Sequence, residues 1–382
     1  MKLLLVHFSD LFYGSGTAVI YRRLLNLLPE DLHIHHYIST WRSDSSDKIA
    51  EQYQTHLQIT PHFASFKPVR DLYGRISRRW NGNKADLRIP GLLDARHIKG
   101  LIKKLKPDVI WWSGDYLPIS TYALAAIPQN YFQDRRFVFS LYDPPGFWNP
   151  GRWSFDKQFQ TALTRADAID VIGTNMSKLV REFGYKDEVV IVNDYVNHKL
   201  TPKPSIEGKF RIVMAGQIYG GEQLQQLIDQ IEEAFSERSI EVHWFGNSEN
   251  LKVAKQVNWK GVQLVERGTL LRDELPSAIQ AFDAGYLNFS SARETFATYS
   301  VPTKLITYLE AGLPVLYHAP EDSETHMLNL EFRFGINLTE SRDLKTVCEN
   351  RIRFQEGGES LIRKQYEKDM LREKLLKHLQ LG

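Results

Sequence analysis

A chain of 382 residues is longer than one hydrophobic core normally organises, so two domains of about 150–200 residues are expected. Hydrophobic residues make up 42% and charged residues 25%, ordinary for a soluble globular protein, and no stretch approaches the ~18 apolar residues of a membrane span. The one cysteine, Cys348, excludes an internal disulfide and fits a reducing cytoplasm; no cysteine–histidine cluster has metal-binding spacing, and MKLLLVHF turns polar at Ser9, unlike a signal peptide.

In chain order, LLLVHF (3–8) reads as a buried strand, TAVIYRRLLNLL (17–28) as a helix and DLHIHHYI (31–38) as the next strand. Between Lys67 and Lys106 the chain carries 12 Lys/Arg against 3 Asp, a local +9; the total is +2, leaving −7 for the rest. Within this block Asp94–Leu105 is helical in period, with Leu101, Ile102 and Leu105 inward and Lys99, Lys103, Lys104 and Lys106 outward. Such a face is either simply solvated or drawn to anionic lipid headgroups or an anionic acceptor. No recognised nucleic-acid motif accompanies it, so no nucleic-acid partner is expected.

PDVIWW (107–112), RRFVFSLYD (135–143), AIDVIG (168–173) and EVVIVND (188–194) read as further strands, with a helix near Phe155–Arg165. The polar, proline-bearing NHKLTPKPSIEGK (197–209) reads as a linker. The pattern restarts with FRIVMAG (210–216), a helix Glu222–Glu233, IEVHWFG (240–246), VQLVERG (262–268), a helix Arg272–Phe282, AGYLNFS (284–290) and PVLYHA (314–319). Strands alternating with helices imply parallel sheets with right-handed crossovers. The expected organisation is an α/β chain of two Rossmann-like doubly wound domains facing each other across a cleft. Residues 1–196 form the first, 197–209 the linker, 210–358 the second, and 359–382 a C-terminal helix packing back on the first domain.

Ligands of such sheets bind beyond the C-terminal ends of the strands, which directs attention to the loops there. Gly14 and Gly16 precede a helix and form either a plain strand–helix turn or a phosphate cradle. Asp143 ends a strand, as an Asx-turn cap or as a carboxylate for acceptor chemistry. MAGQIYGGEQLQQLI (214–228) couples a strand, a glycine pair and a helix, a second possible cradle. The most informative stretch is SVPTKLITYLEAGLPVL (300–316). Pro302 can open a helix, Leu305, Tyr308 and Leu309 make one apolar stripe, Gly312 supplies the cap and Pro314 stops the helix. Packing does not explain Lys304, which stands in the first turn where the helix dipole disfavours cations. It is either solvated or a clamp for phosphate.

Together these parts resemble the glycosyltransferases of the GT-B fold, and among them the family 4-like sugar-nucleotide enzymes. KPDVIWW is similar to the family's usual fourth strand, IVNDYVN (191–197) to its hinge phrase, RIVMAG to the first strand of its donor domain and RGTLLRDELPSAIQAFDAGYLNFSSARE (267–294) to a later strand–helix–strand passage. The pattern S-x-P-x-K-x-x-x-Y-x-x-x-G-x-P-V from Ser300 is similar to its donor-site helix. The resemblance implies a sugar-nucleotide-dependent, metal-independent transferase of hexosyl type. The first domain would bind a glycan or lipid-linked acceptor and the second the donor, with no cofactor beyond the nucleotide-diphosphate sugar as co-substrate. The implied catalytic set is Asp143, Glu294 and Lys304. The implied donor contacts are Gly14, Gly16, Gln217, Tyr219, Gly220, Arg267, Thr269, Leu270, Tyr299, Ser300, Thr303, Lys304 and Thr307. Charge alone adds the expectation that residues 67–106 touch anionic lipid, which would put a cytoplasmic protein at the inner membrane face.

The chain departs from the family at stated places. Its two usual glutamates fall on Tyr299 and Thr307, with Glu294 and Glu310 displaced from them, and its arginine after the first donor-domain strand is Gln217. These departures leave two further readings: a degenerate transferase acting as a binding or scaffold subunit, and a sugar-nucleotide epimerase of the same fold.

Overall fold

The computed structural model describes residues 1–8, 16–38, 57–61, 88–114, 117–144, 157–197, 208–218, 220–246, 251–288, 294–340 and 344–381. The chain divides into two compact units: Met1–Asn193 with Arg372–Gly382, and Asp194–Leu371.

The first unit is built on a parallel seven-stranded sheet of order β3-β2-β1-β4-β5-β6-β7. Its strands are β1 Lys2–His7, β2 His33–Ile38, β3 Leu57–Pro61, β4 Val109–Ser113, β5 Arg136–Leu141, β6 Ala168–Val171 and β7 Glu188–Ile191. The described helices are α1 Gly16–Leu25, α2 Arg88–Leu105, α3 Leu117–Ala125, α4 Lys157–Arg165 and α5 Thr174–Glu182. β1, β4 and β5 are nearly uniform apolar runs because both faces of a parallel sheet are covered. EVVIVND leaves the sheet after Ile191, and the side chain of Asn193 donates from Nδ2 to Ile172 O at 3.0 Å.

A polar group is threaded through this core. Asp170, fully buried, accepts from Ser140 Oγ at 2.8 Å and Tyr142 OH at 2.6 Å, and Trp111 Nε1 donates to Ser140 Oγ at 2.6 Å. His378 brings its ring to Asp170 (3.4 Å) and Glu188 (3.2 Å), while Arg136 donates to His378 O. Residues from Arg372 onward are therefore tied into the first unit by hydrogen bonds as well as by the buried Leu375 and Leu379.

A second buried histidine carries a pH consequence. His36 is 1% exposed, has its ring 5.9 Å from that of His7, and is held well below the ordinary histidine pKa by burial first and His7 second. The folded state thus binds fewer protons than the unfolded chain below about pH 6.5. Stability present above that pH falls as the pH drops, at most about 1.4 kcal/mol per pH unit for this group. His36→Phe should flatten the loss; denaturant melts of both proteins at neutral and mildly acidic pH check it.

The second unit repeats the plan with a parallel six-stranded sheet of order β10-β9-β8-β11-β12-β13. The strands are β8 Lys209–Ala215, β9 Ser239–Phe245, β10 Val262–Gly268, β11 Ala284–Leu287, β12 Val315–Tyr317 and β13 Gly335–Asn337. The described helices are α6 Gly221–Ala234, α7 Leu275–Ile279, α8 Glu294–Tyr299, α9 Thr303–Glu310, α10 Glu324–Phe332, α11 Lys345–Glu349 and α12 Arg351–Leu361. After a π-helical turn, Ile362–Tyr366, α13 (Lys368–Leu379) crosses into the first unit's residues. Both sheets reverse winding direction at one point, between β1 and β4 and between β8 and β11, which is where ligands of such sheets bind.

The helix expected over Arg272–Phe282 is shorter. It runs from Leu275 because Pro276 has no N–H to give and fits only a first turn. AGYLNFS ends its strand at Leu287, since Asn288 turns its amide to another loop. The linker expected at 197–209 and the basic stretch before Arg88 fall largely outside the described residues, as do Gly14 and Tyr219.

Candidate functional site

The switch point of the second sheet is shaped by three glycine turns. β8 ends in Gly216, at φ +71°, and its N–H donates to Phe245 O at 2.7 Å. Gly246 N in turn donates to Gly268 O at 2.9 Å, so the C-terminal ends of β8, β9 and β10 are stitched side by side. Trp244 Nε1 closes the turn by donating to Gly216 O at 3.0 Å.

Asn288, 4% exposed, stands at the end of β11 and clamps the loop before α6. It accepts from Gly220 N at 2.9 Å and donates to Gly220 O at 3.0 Å. Gly220 caps α6 without a side chain, leaving that helix's first N–H groups without a side-chain cap at the sheet edge. Beside it, Tyr286 OH meets His318 Nδ1 at 2.9 Å, and burial pushes the His318 pKa down to about 4, so this ring is neutral.

α9 is locked against this edge by one side chain. Tyr308 OH accepts from Ala215 N at 2.9 Å and donates to Tyr286 O at 3.2 Å, joining β8 to β11. Its ring lies over Gly285, where an added Cβ would come within 2.4 Å of the ring. One turn earlier on the same helix, Lys304 Nζ donates to Gln217 O at 3.0 Å, and an added Cβ on Gly216 would stand 3.0 Å from Lys304 Cε. Sequence spacing thus becomes geometry: Tyr308 fixes the helix, and the helix delivers the lysine to the β8 turn. Lys304 is half-buried, and burial pushes its pKa down to about 8. Such a lysine is mostly charged at neutral pH but poorly solvated, a state that gains from a bound anion.

Gly285→Ala is expected to force Tyr308 and α9 off the sheet, with a stability loss of about 1–3 kcal/mol. A denaturant titration reads it; unchanged stability would contradict the clamp.

The other sequence-stipulated residues fall into groups. Gln217 is exposed at the turn, with its carbonyl taken by Lys304. Thr303 opens α9 after Pro302, which caps the helix from outside rather than entering it. Ser300 is 1% exposed, and its Oγ has no hydrogen-bond partner among the described residues. Tyr299 ends α8 half-buried, and Glu294 begins that helix. Thr269 and Leu270 are exposed after β10, and Arg267 Nε donates to His243 Nδ1 at 2.9 Å. These three stand at the edge strand of the sheet, two strands from β8. Asp143, half-buried, follows β5 in the first unit, and Gly16 opens α1 there.

Thr307, which stands in one of the two expected glutamate places, and the displaced Glu310 both have other work. Thr307, 2% exposed, gives its hydroxyl proton to Thr303 O at 3.1 Å, within its own helix. Glu310, 5% exposed, pairs with Arg272 Nη1 at 2.8 Å and accepts from Asn197 N at 3.3 Å. Arg272 Nε also reaches Asp194 Oδ2 at 3.2 Å. Burial works against the charge of Arg272, but Asp194 and Glu310 hold its pKa above the ordinary arginine value. The Arg272 bridge, the Asn288 clamp and the Tyr308–Gly285 contact escaped the sequence reading. Only Gly285, a glycine inside an apolar strand, carried a visible signal.

No family model matches the chain, and no curated protein matches it by sequence. Solved structures do match. Anabaena HepE in complex with UDP aligns over 100% of both chains at 11% identity and a TM-score of 0.66. The lipopolysaccharide outer core galactosyltransferase WaaB aligns over 100% of this chain and 95% of its own at 12% identity and a TM-score of 0.52. A Listeria monocytogenes structure of a proposed UDP-N-acetylglucosamine 2-epimerase aligns over 98% of this chain and 94% of its own at 14% identity and a TM-score of 0.59. With two parallel doubly wound sheets, each reversing at one switch point, and these likenesses along its whole length, the chain has the GT-B fold of sugar-nucleotide glycosyltransferases.

Proposed function

We propose that this protein is a glycosyltransferase that takes a sugar from a nucleotide-diphosphate donor bound at the switch point of the second unit. The observation that carries the reading is Lys304, delivered by the Tyr308 clamp to the turn after β8 with a pKa lowered to about 8. In the transfer, the bond between the sugar's anomeric carbon and the diphosphate breaks and a bond to an acceptor hydroxyl oxygen forms. The acceptor's proton goes to a carboxylate, for which Asp143 is proposed. Charge growing on the leaving diphosphate meets Lys304 and the N–H groups opening α6, so that no metal is called on. Thr303, Ser300, Tyr299, Gln217, Tyr219 and Gly220 flank the donor; Glu294 is proposed for its sugar hydroxyls, and Arg267, Thr269 and Leu270 for its outer part. Gly14 and Gly16 are kept as proposed donor contacts. The acceptor class is a glycan or a lipid-linked glycan, and the single cysteine suits a cytoplasmic setting. Among the described residues no helix is long and apolar enough to cross a membrane.

A specific observation favours a second reading. Thr307 and Glu310 spend their polar groups on structure, and Gln217 brings no charge to the turn. A binding subunit of transferase ancestry would keep the fold on those terms. Calorimetry against a panel of sugar nucleotides, followed by assay of the free nucleoside diphosphate, separates the readings. Binding with nucleoside diphosphate release supports the transferase. No nucleotide binding supports the scaffold, and epimerised sugar nucleotide without free UDP supports the epimerase reading.

A further inference from the structure

We infer that α2 is a docking face for an anionic membrane surface. This inference does not rest on the transferase reading; it rests on how the described side chains of α2 sort themselves. Ala95, Ile98 and Ile102 are buried against the unit, and so is Asp94, the helix's one acidic residue. Asp94 is fully buried and accepts from Tyr37 OH at 2.7 Å, so it offers no negative charge to solvent.

The outward face carries two stripes at helical spacing. Leu92, Arg96, Lys99 and Lys103 make one; Leu93, His97, Gly100 and Lys104 make the other. Lys99 is half-buried, and the other members are exposed. Each stripe begins with an exposed leucine, Leu92 at 56% and Leu93 at 37%, and ends in lysine. Lys106 continues the charge just past the helix. Leucines beside one another on the outward face of a surface helix waste apolar area in water. Cations with no carboxylate among them repel one another and attract a negative surface. An anionic bilayer answers both: headgroups for the lysines and arginine, acyl boundary for the leucines. A nucleic acid or free phosphate would satisfy the cations and leave the leucines in water. Docked this way, the first unit would lie where a lipid-linked acceptor is held.

The test is co-sedimentation of the full chain with phosphatidylglycerol-containing and pure phosphatidylcholine vesicles at low and high salt. Heparin retention runs in parallel, and thermal melts show that each variant folds. The wild type should bind the anionic vesicles in a salt-sensitive way and the neutral ones weakly. Lys103→Glu with Lys104→Glu should weaken anionic-vesicle binding roughly tenfold or more. Leu92→Ser with Leu93→Ser should weaken vesicle binding by a similar factor, roughly tenfold, and leave heparin retention unchanged. Absence of anionic-vesicle binding by the wild type overturns the inference. So does serine-variant binding equal to wild type, which would assign the face to a soluble polyanion or an acidic protein. Nucleotide binding is unaffected in either case, so the donor-site proposal stands or falls separately.

Discussion

Arg272→Met should destabilise the second unit by about 3–5 kcal/mol, the largest single effect expected outside the apolar core. Arg272 bridges Asp194, fully buried, and Glu310, 5% exposed. Removing the guanidinium leaves two carboxylates in a poorly solvated place with no cation between them. The methionine fills much of the volume, so the loss reads the charges and not a cavity. The bridge also holds the segment that begins the unit: Asn197 N donates to Glu310 Oε1, and Val196 N donates to Tyr366 O at 2.8 Å. Adding Glu310→Gln to Arg272→Met should restore part of the loss, because one stranded charge is removed. Denaturant melts of the single and double variants measure this coupling. A loss below about 1 kcal/mol would mean that the buried bridge is solvated and weak.

Lys304→Met should lower affinity for a nucleoside diphosphate roughly 10- to 100-fold, the worth of a hydrogen bond to a charged group. Its stability should change little, since Lys304 is half-buried at the rim of the β8 turn, where it donates to Gln217 O. The pH dependence has a fixed sign. With its pKa lowered to about 8, Lys304 is charged below that value and neutral above it. Affinity should therefore weaken as pH rises through about 8 in the wild type and stay level in the methionine variant. Calorimetry with UDP over that pH range reads both. Equal affinity in the two proteins would remove Lys304 from the site.

Most of the architecture was legible because parallel strands buried on both faces read as continuous apolar runs, as in VIWW and KFRIVMA. The lysine was legible because it broke a rule of helix termini. Other parts left no such mark. β13 is only Gly335–Asn337, too short for any period, and Gly335 is there because a Cβ would lie 1.9 Å from Val315 O. α10 hides its period because Glu324, Thr325, His326 and Leu328 are all buried. Its start is capped by Ser323, whose hydroxyl accepts from His326 N at 3.2 Å. Arg272 was read as the first residue of a helix; its partners lie 78 and 38 positions away, and only the fold brings them together. Thr307 shows the limit most plainly. The resemblance made it a donor contact, but a threonine inside a helix has a nearer acceptor in the carbonyl four residues back.

The most direct measurement is a titration of the Lys304 Nζ by nitrogen NMR, with and without UDP, on the full chain labelled at lysine. The signal is assigned by its loss in Lys304→Met. In the free protein the midpoint should lie near 8. With UDP bound it should rise by about one unit or more, because a diphosphate beside the ammonium favours its charged form. UDP that binds without moving this midpoint, or no UDP binding at all, would contradict the assignment of the switch point beside Lys304 as a diphosphate site.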